Sequence, residues 1–197
     1  MLSTRRLVLA STSPYRAMLL ERLKLTFERS APGIAEGAIA GETPSATAAR
    51  LAISKARAVA PRFPDALIIG SDQVASCGDR VLEKPGGPER ARRQLAFLSG
   101  RSARFDTAVA LLDAARGDVR CRVVPCRVVF RALTPAEIES YLEREHPWDC
   151  AGSARAEGLG IALLERIETE DPTSLVGLPL IALTGLLSEA GAPVLGG

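Results

Sequence analysis

The strongest constraint on the fold is a short apolar run that ends abruptly in small hydroxyl residues and a proline. The run is Leu7-Val-Leu-Ala10, and Ser11-Thr-Ser13-Pro14 follows it directly. An amphipathic segment over residues 17–23 comes next. This order is typical of a buried strand that turns tightly into a helix. We therefore predict a strand–turn–helix unit with Ser13 as the helix N-cap and Pro14 at the first helical position.

A helix that begins in this way is a candidate anion site. Its unpaired N–H groups and its positive dipole end attract anions, phosphates above all. The spacing places Arg16 on the inward face, one turn before the leucines of the same helix. An arginine there suggests an anionic ligand that is not part of the protein. The alternative is an ordinary capped helix whose Arg16 extends to water, and these residues alone leave both interpretations open.

Composition favours one globular domain over residues 1–197. Charged residues make up 24% and the formal net charge is +2, which gives no electrostatic reason to expect nucleic acid as a partner. No stretch reaches the length of a membrane span, and the region around Met1 lacks the apolar core of a signal peptide. We therefore expect a cytoplasmic protein without a membrane partner. The four cysteines and the single histidine show no zinc spacing.

The lysines are informative because they are rare. Of 25 basic residues only three are lysines, namely Lys24, Lys55 and Lys84. A chain that otherwise uses arginine has little reason to keep a lysine unless its compact ammonium matters. Lys55 falls on the apolar stripe of a predicted helix over residues 46–60, whereas Lys84 precedes Pro85 in a turn. Lys55 either extends to water, as such lysines usually do, or points into a cleft.

Two carboxylates stand where catalytic or ligand-binding groups are common. A second buried strand, predicted over residues 66–71, ends in Asp72-Gln73. Open α/β sheets place their chemistry just beyond the ends of such strands, although Asp72 alone is also consistent with a turn cap. The Gly- and Pro-containing loop over residues 31–44 carries Glu36, and long loops in compact domains are often functional.

The rest of the chain continues to alternate helices and strands, which is typical of an α/β fold. The capping box Thr134-Pro-Ala-Glu137 opens a helix that reaches about Glu145. Another helix is predicted over residues 88–98, and the last helix ends near Ala190. The remaining predicted strands cover residues 25–30, 105–112, 119–130 and 161–167.

Together these groups suggest phosphate chemistry. Lys55 and Lys84 are suited to neutralise a polyphosphate that binds at the start of the first helix. Glu36 and Asp72 are suited to hold Mg²⁺, which proteins bind through one or two carboxylates plus substrate phosphates. The P-loop, serine-hydrolase, zinc and dinucleotide motifs are absent from the sequence. The residues by themselves therefore predict a metal-assisted phosphate site whose substrate is open.

Several sequence blocks carry a resemblance that goes further. They are Leu9-Ala-Ser-Thr-Ser-Pro14, Ile68-Ile-Gly-Ser-Asp-Gln-Val74, Lys84-Pro85, Glu145-His-Pro147, Cys150-Ala-Gly-Ser153, Glu157-Gly158 and Leu175-Val-Gly-Leu-Pro-Leu-Ile-Ala-Leu183. In this order and at this spacing, the blocks resemble the Maf family of nucleotide pyrophosphatases, and within it the YceF-like branch. The resemblance runs over nearly the whole chain.

The resemblance implies a reaction and assigns residues to it. The reaction is hydrolysis of a nucleoside triphosphate at the α–β bond, with a divalent metal cation, Mg²⁺ or Mn²⁺, as cofactor. The implied catalytic residues are Asp72, Lys55 and Lys84, with Asp72 as the proton acceptor. The implied phosphate-binding motif is Ser11, Ser13 and Arg16. The loop glutamate of the family corresponds to Glu36, which together with Asp72 is the expected metal-binding pair.

The family also implies a fold and a set of partners. The expected architecture is a mixed, elongated β-sheet flanked by helices, of the Maf/ITPase type, with a deep active-site groove between two lobes. The expected partner is a small-molecule nucleotide, and a homodimer is plausible.

Three positions, Tyr15, Gln73 and Glu157, differ between branches of the family and are the expected specificity residues. The YceF-like branch is expected to prefer 7-methyl-GTP, whose positively charged base suits the aromatic face of Tyr15. The Glu157 carboxylate is suited to accept hydrogen bonds from guanine. The alternatives are structural: Tyr15 packs on its own helix, and Glu157 pairs with Arg155.

Two departures from the family pattern leave the metal ligation and the turnover open, and two alternative functions stay open beside the leading one. Ala35 stands where an acidic residue is common, and Glu83 places a negative charge before Lys84. One alternative is a pyrophosphatase acting on dTTP and UTP. Another is a nucleotide-binding regulator of cell division with weak catalysis.

Overall fold

The computed structural model describes residues 5–37 and 39–195. The α-helices of this part of the chain are α1 (Pro14–Glu21), α2 (Pro44–Val59), α3 (Pro88–Leu98), α4 (Pro135–Glu145) and α5 (Leu180–Glu189). The strands are β1 (Leu7–Leu9), β2 (Glu28–Arg29), β3 (Leu67–Cys77), β4 (Arg80–Leu82), β5 (Ser102–Asp113), β6 (Asp118–Phe130) and β7 (Leu164–Thr169). The prediction about a signal peptide includes residues 1–4, which lie outside the described residues.

The strands form a mixed sheet in the order β2-β1-β3-β5-β6-β7, with β4 paired to β3. Strand β1 is parallel to both of its neighbours, β2 and β3. The β3–β4 and β6–β7 pairs are antiparallel. A parallel pair needs a long crossover, and helices supply it here, which is the physical basis of the α/β class. The predicted mixed sheet with flanking helices is confirmed.

The chain divides into two compact units. The first comprises residues 1–73, 107–124 and 171–197, and the second comprises residues 74–106 and 125–170. Strands β3, β5 and β6 contribute residues to both units. The single domain over residues 1–197 and the groove between two lobes stay predictions.

The core of the first unit follows from the alternation of side chains along β1. Leu7 and Leu9 pack in one apolar cluster with the leucines of α1 and α5. Val8 and Ala10 pack in another cluster with Ala56 of α2. Successive strand residues point to opposite faces, so a fully apolar strand must be covered on both sides. This packing holds the C-terminal end of β1, and with it the start of α1, in a defined place.

The prediction that the second buried strand ends before Asp72 was wrong. Strand β3 continues through Asp72 and Gln73 to Cys77 and then turns at Gly78 into β4. The polar pair was interpreted as the end of the strand. Both side chains instead find partners within the protein, so they lie in a regular strand at no cost in unpaired polar groups.

The other elements match the predictions closely. Helix α3 has the predicted bounds, and α4 begins with the predicted capping box. Strand β7 begins three residues later than predicted because a short 3₁₀ helix, Leu159–Leu163, precedes it. Strand β2 is shorter than predicted.

Candidate active site

The start of α1 is built as its sequence predicts. Ser13 is the N-cap, with Pro14 at the first helical position, and the Ser13 Oγ accepts a hydrogen bond from the Arg16 N–H at 3.4 Å. The buried Ser11 Oγ accepts from the Ser13 N–H at 3.1 Å. The two hydroxyls therefore hold the backbone between β1 and α1 in one conformation. This arrangement leaves a positive helix end beside the end of a central strand.

Arg16 is anchored inside the first unit rather than extended to water. Its Nε donates to the Gly177 carbonyl oxygen at 2.9 Å. Burial lowers the pKa of the guanidinium, whereas Asp72 and Glu36 act in the opposite direction, so both carboxylates are close enough to influence it. The bond uses only Nε. The two terminal nitrogens, which form the fork that binds phosphates, are not committed to this bond.

A buried serine holds the same carbonyl group. The Ser71 Oγ lies within hydrogen-bond distance of the Gly177 oxygen, at 2.9 Å, and of the Ala108 oxygen, at 2.8 Å. Ser71 is completely buried. Gly177 has a φ of +118°, a conformation that residues with side chains rarely adopt. Ser71 and Gly177 together therefore determine where the Arg16 side chain can lie.

The centre of the site is the Lys55 cluster, which consists of Lys55, Asp72 and Glu36. The Lys55 Nζ lies 2.5 Å from Asp72 Oδ1 and 2.8 Å from Glu36 Oε1. The side chains of Lys55 and Asp72 are only 5% and 9% exposed, whereas that of Glu36 is 55% exposed. Of the two alternatives for Lys55, the structure shows the inward one. One ammonium thus joins a helix, a strand and a loop.

A glycine explains why α2 comes close enough to β3 to form this cluster. A Cβ atom at Gly70 would lie 2.0 Å from the Ala52 carbonyl oxygen, far inside any allowed contact. The backbone of α2 therefore packs directly against β3 at this point. Lys55 follows Ala52 by three residues, almost one helical turn, so its side chain projects from the same face onto the strand. Asp72 follows Gly70 by two residues and points to the same side of the sheet.

Gln73 holds a neighbouring loop. Its Nε2 lies 2.9 Å from the Thr107 Oγ1 and donates to the carbonyl oxygens of Ser174 and Leu175 at 3.0 and 3.1 Å. The Thr107 hydroxyl donates to the same Ser174 oxygen at 2.9 Å. Gln73 therefore positions the loop that also contains Gly177. Its role in choosing the base stays a prediction.

Lys84 belongs to the second unit, where it is exposed just after β4. The neighbouring Glu83, which departs from the family pattern, forms an ion pair with Arg90 at 2.9 Å. Its negative charge is thus balanced within the same unit. The role of Lys84 in binding phosphate stays a prediction.

Glu157 lies in what we call the Arg155 cluster, which consists of Arg155, Glu145 and Glu157. The Arg155 Nη1 lies 3.1 Å from Glu145 Oε1, and its Nε lies 3.5 Å from Glu157 Oε1. The pairing of Glu157 with Arg155, considered as a structural alternative, is therefore present. Tyr15 is half-buried at the second position of α1. The specificity roles of Tyr15 and Glu157 stay predictions.

The expected metal ligands are consistent with a hard divalent cation, although they do not form a complete site. Over residues 5–37 and 39–195, no group of three or more His, Cys, Asp or Glu side chains could hold a metal ion. The carboxylates of Glu36 and Asp72 nevertheless lie close together, because the ammonium of Lys55 contacts both. Two carboxylates fit Mg²⁺ or Mn²⁺ where substrate phosphates and water complete the coordination.

Sequence reasoning missed the groups that hold the site residues in place. Ser71, Gly177 and Glu145 each lie in a block that carries the family resemblance, but none was assigned a role. The glycine and the buried serine gave a weak signal, because each interrupts or ends an apolar segment. Their partners are more than 30 residues away in the chain, so only the folded structure identifies them.

None of the helices in the described part of the chain is long and apolar enough to cross a membrane.

Similarity to known proteins identifies the family of this chain. The Maf-like protein family matches residues 6–190. A 7-methyl-GTP pyrophosphatase from Cupriavidus pinatubonensis is 56% identical over 188 residues, which cover 95% of this chain and 94% of that protein. The protein of the same name from Thiobacillus denitrificans is 55% identical and covers 96% of this chain and 94% of its own length. The protein of the same name from Albidiferax ferrireducens is 52% identical over 98% of this chain and 96% of its own length. The chain therefore belongs to the Maf family.

Proposed function

We propose that this protein is a nucleoside triphosphate pyrophosphatase that hydrolyses 7-methyl-GTP to 7-methyl-GMP and diphosphate. The observation that carries the proposal is the buried Lys55 cluster. The charges of its two carboxylates act on the guanidinium of Arg16, which is anchored at the start of α1. The relatives named 7-methyl-GTP pyrophosphatase support both the reaction and the substrate, since they match nearly the full chain.

In the proposed reaction, cationic groups hold the triphosphate and a carboxylate accepts a proton. The Arg16 fork and the start of α1 bind phosphate oxygens, and Lys84 neutralises further charge. Asp72 uses Oδ1 to bind Lys55, which leaves Oδ2 for a water molecule. As the water oxygen bonds to the α-phosphorus, its proton passes to Oδ2 and the bond to the bridging oxygen breaks. Diphosphate then leaves with that bridging oxygen.

Lys55 holds this proton acceptor in position. Its ammonium binds Asp72 Oδ1 at 2.5 Å and restricts rotation of the carboxylate. Glu36 and Asp72 would hold the divalent cation, which when bound neutralises charge on the phosphates. Glu36 is half-exposed and lies on a loop, so it is accessible to a cation that arrives with the substrate.

The base is proposed to be chosen by Tyr15, Gln73 and Glu157. A cation–π contact between Tyr15 and the charged 7-methylguanine ring would contribute about 0.5–2 kcal/mol. The Glu157 carboxylate would accept from guanine N1–H and the exocyclic amine, whereas it would repel the carbonyl oxygens of a pyrimidine. Gln73 contributes by positioning the loop over residues 174–177.

A substrate panel tests the proposal. Diphosphate release is measured with 7-methyl-GTP, GTP, dTTP and UTP, each with Mg²⁺ or Mn²⁺, and we expect the highest kcat/KM for 7-methyl-GTP. Preference for dTTP and UTP would instead establish the pyrimidine-directed alternative. Absence of turnover with every nucleotide, despite binding, would favour the regulatory alternative. Omission of the metal should abolish turnover.

The remaining expectations concern partners and location. We propose a small-molecule nucleotide as the partner and a homodimer as the assembly. A cytoplasmic location and the absence of nucleic acid from its partners stay predictions, which follow from composition and charge.

A further inference from the structure

The Glu145-His-Pro147 block has no role in the proposed reaction, yet the structure gives its glutamate several contacts. The Glu145 Oε2 accepts a hydrogen bond from the Leu159 N–H at 2.6 Å, and Oε1 binds the Arg155 Nη1 at 3.1 Å. A Cβ atom at Gly158 would lie 2.7 Å from Glu145 Oε1. The Glu145 carboxylate therefore fills the space that only a glycine at 158 leaves open, directly beside Glu157.

Arg155 is held from several sides within the second unit. Its backbone N–H donates to the Tyr141 hydroxyl at 3.0 Å. A Cβ atom at Gly160 would lie 2.5 Å from both the nitrogen and the oxygen of the Arg155 backbone. The chain over residues 155–160 thus folds closely on itself around the arginine. The Arg155 side chain, which is 36% exposed, extends from this closely packed backbone to both carboxylates.

The two carboxylates of the Arg155 cluster are bound differently. Glu145 forms a hydrogen-bonded ion pair with the guanidinium at 3.1 Å. Glu157 lies at 3.5 Å, which is longer than an N–H···O hydrogen bond but still a close ion pair. Within residues 5–37 and 39–195, no hydrogen bond uses the Glu157 oxygens. Arg155 therefore attracts the Glu157 carboxylate electrostatically without occupying its hydrogen-bonding capacity.

We infer that Arg155, which is anchored by Glu145, is a positioning residue for base recognition: it orients the Glu157 carboxylate while leaving its lone pairs free for the base. The inference rests on the proposed function, because it assumes that Glu157 reads the base. Glu157 is 22% exposed, so its carboxylate is accessible to a ligand.

The test compares Arg155→Met, Arg155→Lys and Glu145→Gln with a matched control, Arg166→Met. Arg166 is also an arginine of the second unit between two glutamates, lying 2.5 Å from Glu168 and 3.8 Å from Glu165. The readout is the ratio of kcat/KM values for 7-methyl-GTP and dTTP, with a thermal melt of each variant to confirm folding.

We expect Arg155→Met to lower this ratio about tenfold, the effect of weakening one charge-assisted hydrogen bond, through a higher KM for 7-methyl-GTP. Arg155→Lys should restore only part of the ratio, because it returns the positive charge but not the fixed geometry of the guanidinium. Glu145→Gln should lower the ratio less than Arg155→Met does, and Arg166→Met should not change it. In a Glu157→Gln background, Arg155→Met should have no further effect on the ratio.

An unchanged ratio in folded Arg155→Met protein would overturn the inference, as would an equal loss of activity on both nucleotides. Failure of the proposed function has a different signature, because the wild-type protein itself would then show no preference for 7-methyl-GTP. If the wild-type protein prefers another purine nucleotide, that nucleotide replaces 7-methyl-GTP in the ratio. The variants then still decide the role of Arg155.

Discussion

The Lys55 cluster and the Arg155 cluster each place one basic side chain between two carboxylates, and they differ in burial and in the kind of cation. In the first, a compact ammonium lies 2.5 and 2.8 Å from its partners and is nearly inaccessible to solvent. In the second, a planar guanidinium is partly exposed and binds one carboxylate more closely than the other. An ammonium is a point charge with rotatable donors, whereas a guanidinium holds fixed geometry.

This difference separates two kinds of task. A lysine can exchange partners as a proton moves or a phosphate arrives, which suits the group beside the proton acceptor. An arginine anchored at several atoms keeps a neighbour in one orientation, which suits the recognition of a flat base. The sequence places the lysine on a helix that crosses the strand carrying Asp72, and the arginine within a tight loop. We therefore expect substitutions at the two clusters to differ in whether they alter turnover, stability or base preference, and in how much.

The largest expected effect is at Asp72. Asp72→Asn should lower kcat by about a thousandfold or more with 7-methyl-GTP, because the amide cannot accept the proton of the attacking water. Steady-state diphosphate release measures it. The control is Asp118→Asn, an exposed aspartate paired with Arg120, which should keep wild-type activity. Near-native turnover in Asp72→Asn would remove Asp72 as the base.

The next effect concerns folding. Lys55→Met should lower the free energy of unfolding by about 3 kcal/mol, because it leaves the buried Asp72 carboxylate without its cation. Arg155→Met should lower it by less than about 1 kcal/mol, since that pair is partly exposed. Urea denaturation of both variants measures the difference. Equal losses would show that the two clusters contribute equally to stability, which would contradict the difference in burial as the cause.

A smaller effect is expected at Ser71, which helps to anchor Arg16. Ser71→Ala should lower the free energy of unfolding by about 1 kcal/mol through the lost hydrogen bonds and raise the KM for nucleotide. In an Arg16→Ala background the effect on KM should vanish. Ser188→Ala, an exposed serine of the same unit, is the control. A KM effect that persists without Arg16 would contradict the anchoring role.

The smallest expected change in stability is at Glu36. Because its side chain is 55% exposed, Glu36→Gln should change the free energy of unfolding by less than about 0.5 kcal/mol. It should nevertheless raise the Mg²⁺ concentration needed for half-maximal activity, since it removes one charged oxygen ligand. A metal titration measures this, with Glu21→Gln on the exposed side of α1 as control. An unchanged titration would exclude Glu36 from the metal site.

Features that depend on neighbouring residues in the chain were predictable. The Ser13 cap, the proline after it and the capping box from Thr134 to Glu137 need only a few consecutive residues, and the structure contains all of them. The extent of α3, an arginine-rich helix that begins at Pro88, was also predicted correctly. The rarity of lysine also drew attention to Lys55, whose ammonium contacts Asp72 and Glu36 in the structure.

Tertiary structure alone decided how these parts meet. It continued β3 through Asp72, because Lys55 from a distant helix satisfies the carboxylate within the strand. It also explains the glycine at position 70, which allows the backbone of α2 to pack directly against β3. It also joined Glu145 to Arg155 and Ser71 to Gly177, pairs separated by 10 and 106 residues. Local propensity specifies caps and periods, whereas the partner of a buried polar group depends on the packing of the whole chain.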